Sequence, residues 1–417
     1  MVIMLPSRKI PLDMRRKTGV VSVRHAVLAL AVVTLLSLFM CYIALSLAQD
    51  FTSNVLISSA MAEALESSAG NIAVKSLGLS ALGNPSTGRM EWKAFPGAKA
   101  VVAYAISITS CPENAPNVID GPAILGHSIH KVSIRQNASK YDYRLYAFVF
   151  PDAANCSHLL KLLGYEVIIR DIPFKLGDIL SDSYKAEIEE KGCCGSREFV
   201  KLWAFTLFDH EIVVHTDTDV ILLQPLDALF DVMLSSNASA HTVATMGGTR
   251  LPSKVDFLFT RDYVQRSHIT NNTKRFGVQG GFFVAKPDAK IFQEMKTTIL
   301  RGDYSHRHGW ANLSYGGYWG SPQVQGFLSY FYGEMHPDHA VELNRCLYNT
   351  MVHDPPMTDG LCRTGEKTCE DCQETPLSDI FTVHLTTCAK PWQVSTAFIG
   401  NARSLTVAKS LIESLVS

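Results

Sequence analysis

Residues 196–230 read SREFVKLWAFTLFDHEIVVHTDTDVILLQPLDALF. Val200, Trp203, Ala204 and Leu207 recur at helical spacing, so the stretch opens as a helix. Asp209 and His210 punctuate it. Ile212, Val213 and Val214 form a β-branched run, too short for a helix and apolar enough to be buried on both faces. Asp217-Thr218-Asp219 follows where that strand should end. In open α/β sheets, ligands bind beyond the carboxyl ends of strands. Two carboxylates spaced two residues apart there can grip a hard divalent cation, which can hold diphosphate oxygens. The bare tripeptide is a weak motif, because most instances are solvated turns. Its surroundings have to decide.

On the N-terminal side, Ala100 to Ile108 is an apolar run suited to a central parallel strand. Asp120-Gly121-Pro122 starts a helix, Tyr143 to Phe150 is a second strand, His158 to Leu163 a helix and Tyr165 to Arg170 a third strand. That alternation predicts an α/β fold, Rossmann-like, with a mostly parallel sheet, right-handed crossovers and flanking helices. Residues 171–195 read as a connection. Downstream, Leu226 to Leu234 reads as a helix, Thr242 to Met246 as a strand, and Leu251 to Arg275 as a polar surface loop. Phe276 to Lys286 is a strand interrupted by Gly280-Gly281, and paired glycines inside a strand suggest close approach of a backbone or ligand. Ala289 to Leu300 and Gln323 to Tyr332 read as helices, Phe381 to Leu385 as a last strand and Ser404 to Leu415 as a terminal helix. Tyr304 to Ser321, rich in Gly, Tyr, Trp and His, suits the wall of a sugar site, since aromatic faces pack on pyranose C–H faces; a plain aromatic loop is the alternative.

The ends of the chain set the expected compartment. Ala26 to Ala48 is 23 residues without a charge, long enough to span a bilayer. Six basic residues precede it against one acid, and no base follows until Lys75, so residues 1–25 are expected in the cytoplasm. A cleaved signal peptide is the alternative, but the apolar run exceeds the usual h-region. Residues 49–97 read as a stem, 98–395 as the globular head and 396–417 as a C-terminal segment. Five Asn-x-Ser/Thr sites and nine of ten cysteines lie beyond the span, in keeping with a secretory lumen. A Cys362/Cys369/Cys372 zinc site lacks its fourth ligand at normal spacing, so a disulfide-pinned loop is expected. A formal net charge of −1 in 417 residues speaks against a nucleic-acid partner. Pairing of two chains through Cys41, a homodimer, stays open.

Several segments together resemble the family 8 glycosyltransferases, the glycogenin-like retaining enzymes of GT-A fold, over roughly residues 99–393. Tyr104-Ala105-Ile106-Ser107 followed by Gly121 to Ile129 looks like the family's first strand and helix. Lys201-Leu202-Trp203-Ala204 resembles its K-L-x-x-W/F helix, and Leu223 to Phe230 its L-x-N-I-D-x-L-F. Leu347-Tyr348-Asn349 resembles the Y-N before the last strand, and His384 to Trp392 keeps the spacing H-x5-K-P-W, the most specific of these signals.

The resemblance implies Asp217, Asp219 and His384 as ligands of Mn²⁺ or another divalent cation, and a UDP-sugar as donor. Lys390 would face the phosphates and Lys201 the donor sugar or phosphate; Thr109, Thr218 and Gln279 join the donor-binding set. Gln325 and Lys201 are the implied catalytic residues. The implied activity is hexose transfer, with retention, to a luminal glycan or glycoprotein in the Golgi or endoplasmic reticulum. Two departures stand out. Gln279 replaces the family's Asn, and Val324 replaces the acid of its D-Q pair, which removes the obvious carboxylate nucleophile. Either Gln325 and the substrate serve by front-face attack, or another acid takes over. The alternatives are a non-catalytic sugar-binding membrane glycoprotein on the same fold, or an inverting GT-A mannosyltransferase, against which the His-x5-Lys-Pro-Trp spacing speaks.

Overall fold

The structure is a computed structural model describing residues 93–112, 118–190, 194–235, 251–262, 277–313, 315, 320–351, 357–358, 361–362, 371–386 and 390. All of them belong to one compact unit, Lys93–Ser417. The expected membrane span, the stem up to residue 92, the strand at Thr242 to Met246 and the terminal helix lie outside the described residues. Among the described residues no helix is long and apolar enough to cross a membrane.

The apolar run opening the head is β1, Val101–Ile108. After it come α1, Asp120–Lys131, and β2, Asp142–Val149. Then come α2, Ser157–Leu162, and β3, Tyr165–Ile169. β1 pairs in parallel with β2, and β2 with β3, as strand–helix–strand units require. β4, Val213–Thr216, joins the other side of β1, also in parallel. The sheet continues through β7, Val278–Ala285, antiparallel to β4, then β6, Phe257–Arg261, and β10, Ala340–Glu342, giving the order β10-β6-β7-β4-β1-β2-β3. The architecture is therefore mixed α/β with a mostly parallel centre. Apolar side chains fill both faces: Val102, Ile106, Val214 and Val284 lie in one buried cluster and Ala105, Phe148, Val213 and Phe283 in the other. This is the alternation expected of strands covered on two sides.

A second, three-stranded sheet takes over where β4 ends. β5, Val220–Leu222, pairs antiparallel with β14, Thr382–His384, which pairs in parallel with β11, Thr350–Met351. The chain crosses from one sheet to the other through Asp217-Thr218-Asp219.

Four expectations need correction. The connection 171–195 contains a helix, α3, Asp182–Glu190, polar on most positions but burying Tyr184 and Ile188. The segment opening the organising stretch is a tight 3-10 helix, Gly195–Thr206, still amphipathic enough to bury Phe199, Val200, Leu202, Ala204 and Phe205. The polar loop from Leu251 onward contains β6, whose Phe257, Leu258 and Phe259 are core residues. The aromatic segment offers no exposed sugar-site wall where it is described: Tyr304, Trp310 and Tyr315 are buried, and Trp310 packs edge-on to Tyr184 and Phe327 while its indole N–H donates to Ser321 O at 2.9 Å. Tyr318 and Trp319 lie outside the described residues. Of the three cysteines expected in a disulfide-pinned loop, Cys372 is bridged, but to Cys346 outside that set, and a second bridge joins Cys111 to Cys156.

Candidate active site at the junction of two sheets

Asp217 leaves β4 at its carboxyl end, and its N–H donates to Gly281 O at 2.8 Å. The turn closes through Val220 N–H to Asp217 O at 3.3 Å, so Asp217 and Asp219 face one side. β14 then delivers the third group: His384 is paired opposite Val220, and Leu385 N–H donates to Asp219 O at 2.9 Å. His384, far downstream in sequence, thus converges with the two aspartates because two sheets share one crossover.

The ligand atoms of Asp217, Asp219 and His384 lie within 4.8 Å of one another. His384 Nε2 is 3.2 Å from Asp219 Oδ1 and 3.9 Å from Asp217 Oδ2. The imidazole is 1% exposed, and its Nδ1 has no hydrogen-bond partner among the described residues, so packing alone does not satisfy the ring. Asp217 keeps a side chain 35% exposed, which opens the cluster to solvent on one side. Two carboxylates and an imidazole with an open face fit a divalent ion of the Mn²⁺ or Zn²⁺ type better than an all-oxygen Mg²⁺ site.

Gly281 is the reason β7 can pass so close. A Cβ there would overlap His384 Cε1 and sit 2.7 Å from Asp217 Oδ2 and 3.0 Å from Gln279 Oε1. The paired glycines of the sequence are therefore a backbone held against the site. Gly121 does the same for α1, whose first turn packs on Thr218: a Cβ would lie 2.5 Å from Thr218 O.

Both lysines are brought to the cluster. Lys390 Nζ donates to Asp219 Oδ2 at 2.5 Å and also to Leu385 O. Burial disfavours ionisation of Asp219, but the charges of His384 and Lys390 and their hydrogen bonds overcome it and hold the carboxyl well below its ordinary value. The stability tied to that ionisation is present above the ordinary carboxylate range and is lost only as pH falls through the lowered value. Lys201 is buried and sits behind Asp217 rather than in open space. Its Nζ is 2.9 Å from Asp217 Oδ1, 3.2 Å from Glu198 Oε1, and donates to Gly280 O at 3.1 Å. With three protein acceptors around its ammonium group, Lys201 orients Asp217 from behind.

The remaining expected residues divide. Gln279 is buried, and its Oε1 accepts from Gly281 N–H at 2.7 Å and from Asn349 Nδ2 at 3.1 Å. Gln325 is buried beside the same strand, its Oε1 accepting from Gly280 N–H at 3.0 Å. Thr218 lies within the crossover under α1. Thr109 is drawn away: its hydroxyl donates to Cys194 Sγ at 3.6 Å and its carbonyl accepts from Arg197 at 3.3 Å, and no described contact joins it to the metal cluster. Val324 does not face the cleft at all, being completely buried in the apolar cluster with Phe327 and Leu328. Two acids were missed, Glu198 and Asp262. Glu198 carries a faint signal, an i,i+3 spacing to Lys201. Asp262 follows the run Phe257–Arg261 as Asp217 follows β4, a parallel visible only once that run is read as a strand.

No family model matches the chain, and no curated protein matches it. Among solved structures, mouse xyloside xylosyltransferase 1 in its apo form is 10% identical with a TM-score of 0.41, covering 69% of this chain and 98% of its own. An active-site mutant of LgtC is 12% identical with a TM-score of 0.41, covering 75% and 95%. The glycosyltransferase GlyE of Streptococcus pneumoniae is 13% identical with a TM-score of 0.39, covering 75% of this chain and 61% of its own. Scores and identities this low carry no inference about function, which rests on the site itself.

Proposed function

We propose that this chain is a GT-A glycosyltransferase of the family 8 type, moving a hexose from a UDP-sugar to a glycan or glycoprotein with retention of configuration. The observation that supports it most is the convergence of Asp217, Asp219 and His384 at the carboxyl end of β4, with Lys390 on the same carboxylate. A bound divalent cation would neutralise the donor's diphosphate and ease its departure. Asp217, Asp219 and His384 would hold that cation, and Lys390 would lend a second positive charge to the phosphates. Lys201 and Glu198 keep Asp217 aimed, and the Gly280-Gly281 backbone closes the floor. Front-face attack, with the acceptor's proton passing to the departing diphosphate oxygen, asks for no protein nucleophile. A Val324 that packs in the core is compatible with that route.

The proposal places the head in the lumen of the Golgi or endoplasmic reticulum behind a span at 26–48. Two disulfides in the head support an oxidising compartment. The test is UDP release by the full-length chain from a panel of UDP-sugars with Mn²⁺, with and without EDTA. Metal-dependent release from one donor is the expected outcome. Equal release with and without EDTA rules out the metal role, and no release with any donor and acceptor rules out the enzyme.

A further inference from the structure

Asn349 stands just before β11 and is 1% exposed. Its φ is +54°, in the left-handed region that Asn enters more readily than most side chains. From there it reaches three different strands. Its backbone N–H donates to Thr382 Oγ1 on β14 at 2.6 Å. Its Nδ2 donates to Thr260 Oγ1 on β6 at 2.8 Å and to Gln279 Oε1 on β7 at 3.1 Å. The amide can stand one way round only. Gly281 N–H can only donate, so Gln279 turns Oε1 toward it at 2.7 Å, and that oxygen asks Asn349 for an N–H. The Asn349 Oδ1 is left buried with no hydrogen-bond partner among the described residues, so the arrangement favours the donor side at the cost of the acceptor.

Both ends of this cross-link lead to the metal cluster. Thr382 lies two residues before His384 on β14, so the two side chains leave the strand on the same face. Gln279 Oε1 lies where β7 passes the ligands. A Cβ on Gly281 would sit 3.0 Å from it and 2.7 Å from Asp217 Oδ2, and would overlap His384 Cε1. The carbonyl of the same Gly281 accepts from Asp217 N–H at 2.8 Å. Among the described residues β14 shares no ladder with the large sheet, so strand pairing alone does not set His384 against Asp217.

We propose that Asn349 is a positioning residue: it bolts the small sheet to β6 and β7 at the spacing that brings His384 to Asp217 and Asp219 as a set fit for one divalent cation. The role rests on the metal-dependent reading of the site. Asn349 acts through Thr382 and Gln279.

Mn²⁺ titrations of the full-length chain beside thermal melts test it, with the paramagnetic resonance spectrum of bound Mn²⁺ as a reading of ligand geometry. Asn349→Gly suits the positive φ and removes both side-chain bonds, and Thr382→Val removes the third. Each is expected to weaken Mn²⁺ binding about tenfold or more and to change the spectrum. Tyr146→Phe is the control, since it removes a buried 2.8 Å bond to His210 beside the amino end of β4. It is expected to lower the unfolding temperature and keep Mn²⁺ affinity within about twofold of wild type. A merely structural role would lower the unfolding temperature in all three variants and leave affinity and spectrum unchanged, and that result overturns the proposal while the metal reading stands. An equal loss of affinity in Tyr146→Phe overturns it as well. Should Asn349→Gly fail to fold, Thr382→Val decides alone. A wild-type chain that binds no Mn²⁺, with or without UDP, overturns the metal reading and the positioning role together.

Discussion

Asp217→Ala and Asp219→Ala are each expected to cut metal-dependent UDP release by about 100-fold or more, an effect larger than the 10–100-fold usual for a residue behind a ligand. Both residues lie on the crossover, outside the apolar clusters, so the fold is expected to survive. The two variants should differ in a second respect. Asp217 is held by Lys201, which keeps Glu198 and Gly280 O as partners when the carboxylate is gone. Asp219 is held by His384 and Lys390, and its removal leaves a fully buried imidazole and a half-buried lysine without their carboxylate. Losing one partner of a buried charged pair strands the other, so Asp219→Ala should show the greater fall in unfolding temperature. Circular dichroism melts beside Mn²⁺ titrations check both points. Full activity in either variant at saturating Mn²⁺ sinks the ligand assignment.

Gly281→Ala carries the second large effect, although it changes no functional group. The added methyl would overlap His384 Cε1 and crowd Asp217 Oδ2 at 2.7 Å, so one of the two ligands has to move. Mn²⁺ affinity is expected to fall about 10–100-fold, the range seen when ligand orientation is disturbed. Alanine is the better strand residue, so the loss cannot be laid to backbone preference. Gly177→Ala, where a Cβ meets nothing within 4 Å, is the control and should bind Mn²⁺ as the wild type does. A Gly281→Ala chain with normal affinity would mean that the site is looser than its packing indicates.

The parallel strands could be read in the sequence because they are continuous apolar runs, and Asp217 and Asp219 because they stand where such a run ends, the place where open α/β sheets bind ligands. His384 was legible only through its spacing to Lys390, since nothing local shows that β14 pairs with β5. β6 was hidden by its neighbours: FLFTR is short and flanked by Pro252, Ser253, Lys254 and Asp262. α3 was hidden by composition, since only Tyr184 and Ile188 anchor a helix of acids and a lysine. Aromatic richness around Trp310 misled because composition does not say which side of a loop is wet. Glu198 and Asp262 looked like ordinary acids, and their partners Lys201 and Gln325 become neighbours of Gly280 only when β7 lies between them. Metal ligands were thus more legible than the residues that aim them, because ligand chemistry restricts residue type and aiming requires only proximity.

Calorimetric titration of UDP into the full-length chain, with Mn²⁺ and then with EDTA, tests the central claim most directly. Binding that requires Mn²⁺ and disappears in Asp217→Ala is the result expected of a cation held by Asp217, Asp219 and His384 beneath a diphosphate. Binding of equal strength in EDTA, or none under either condition, would contradict it.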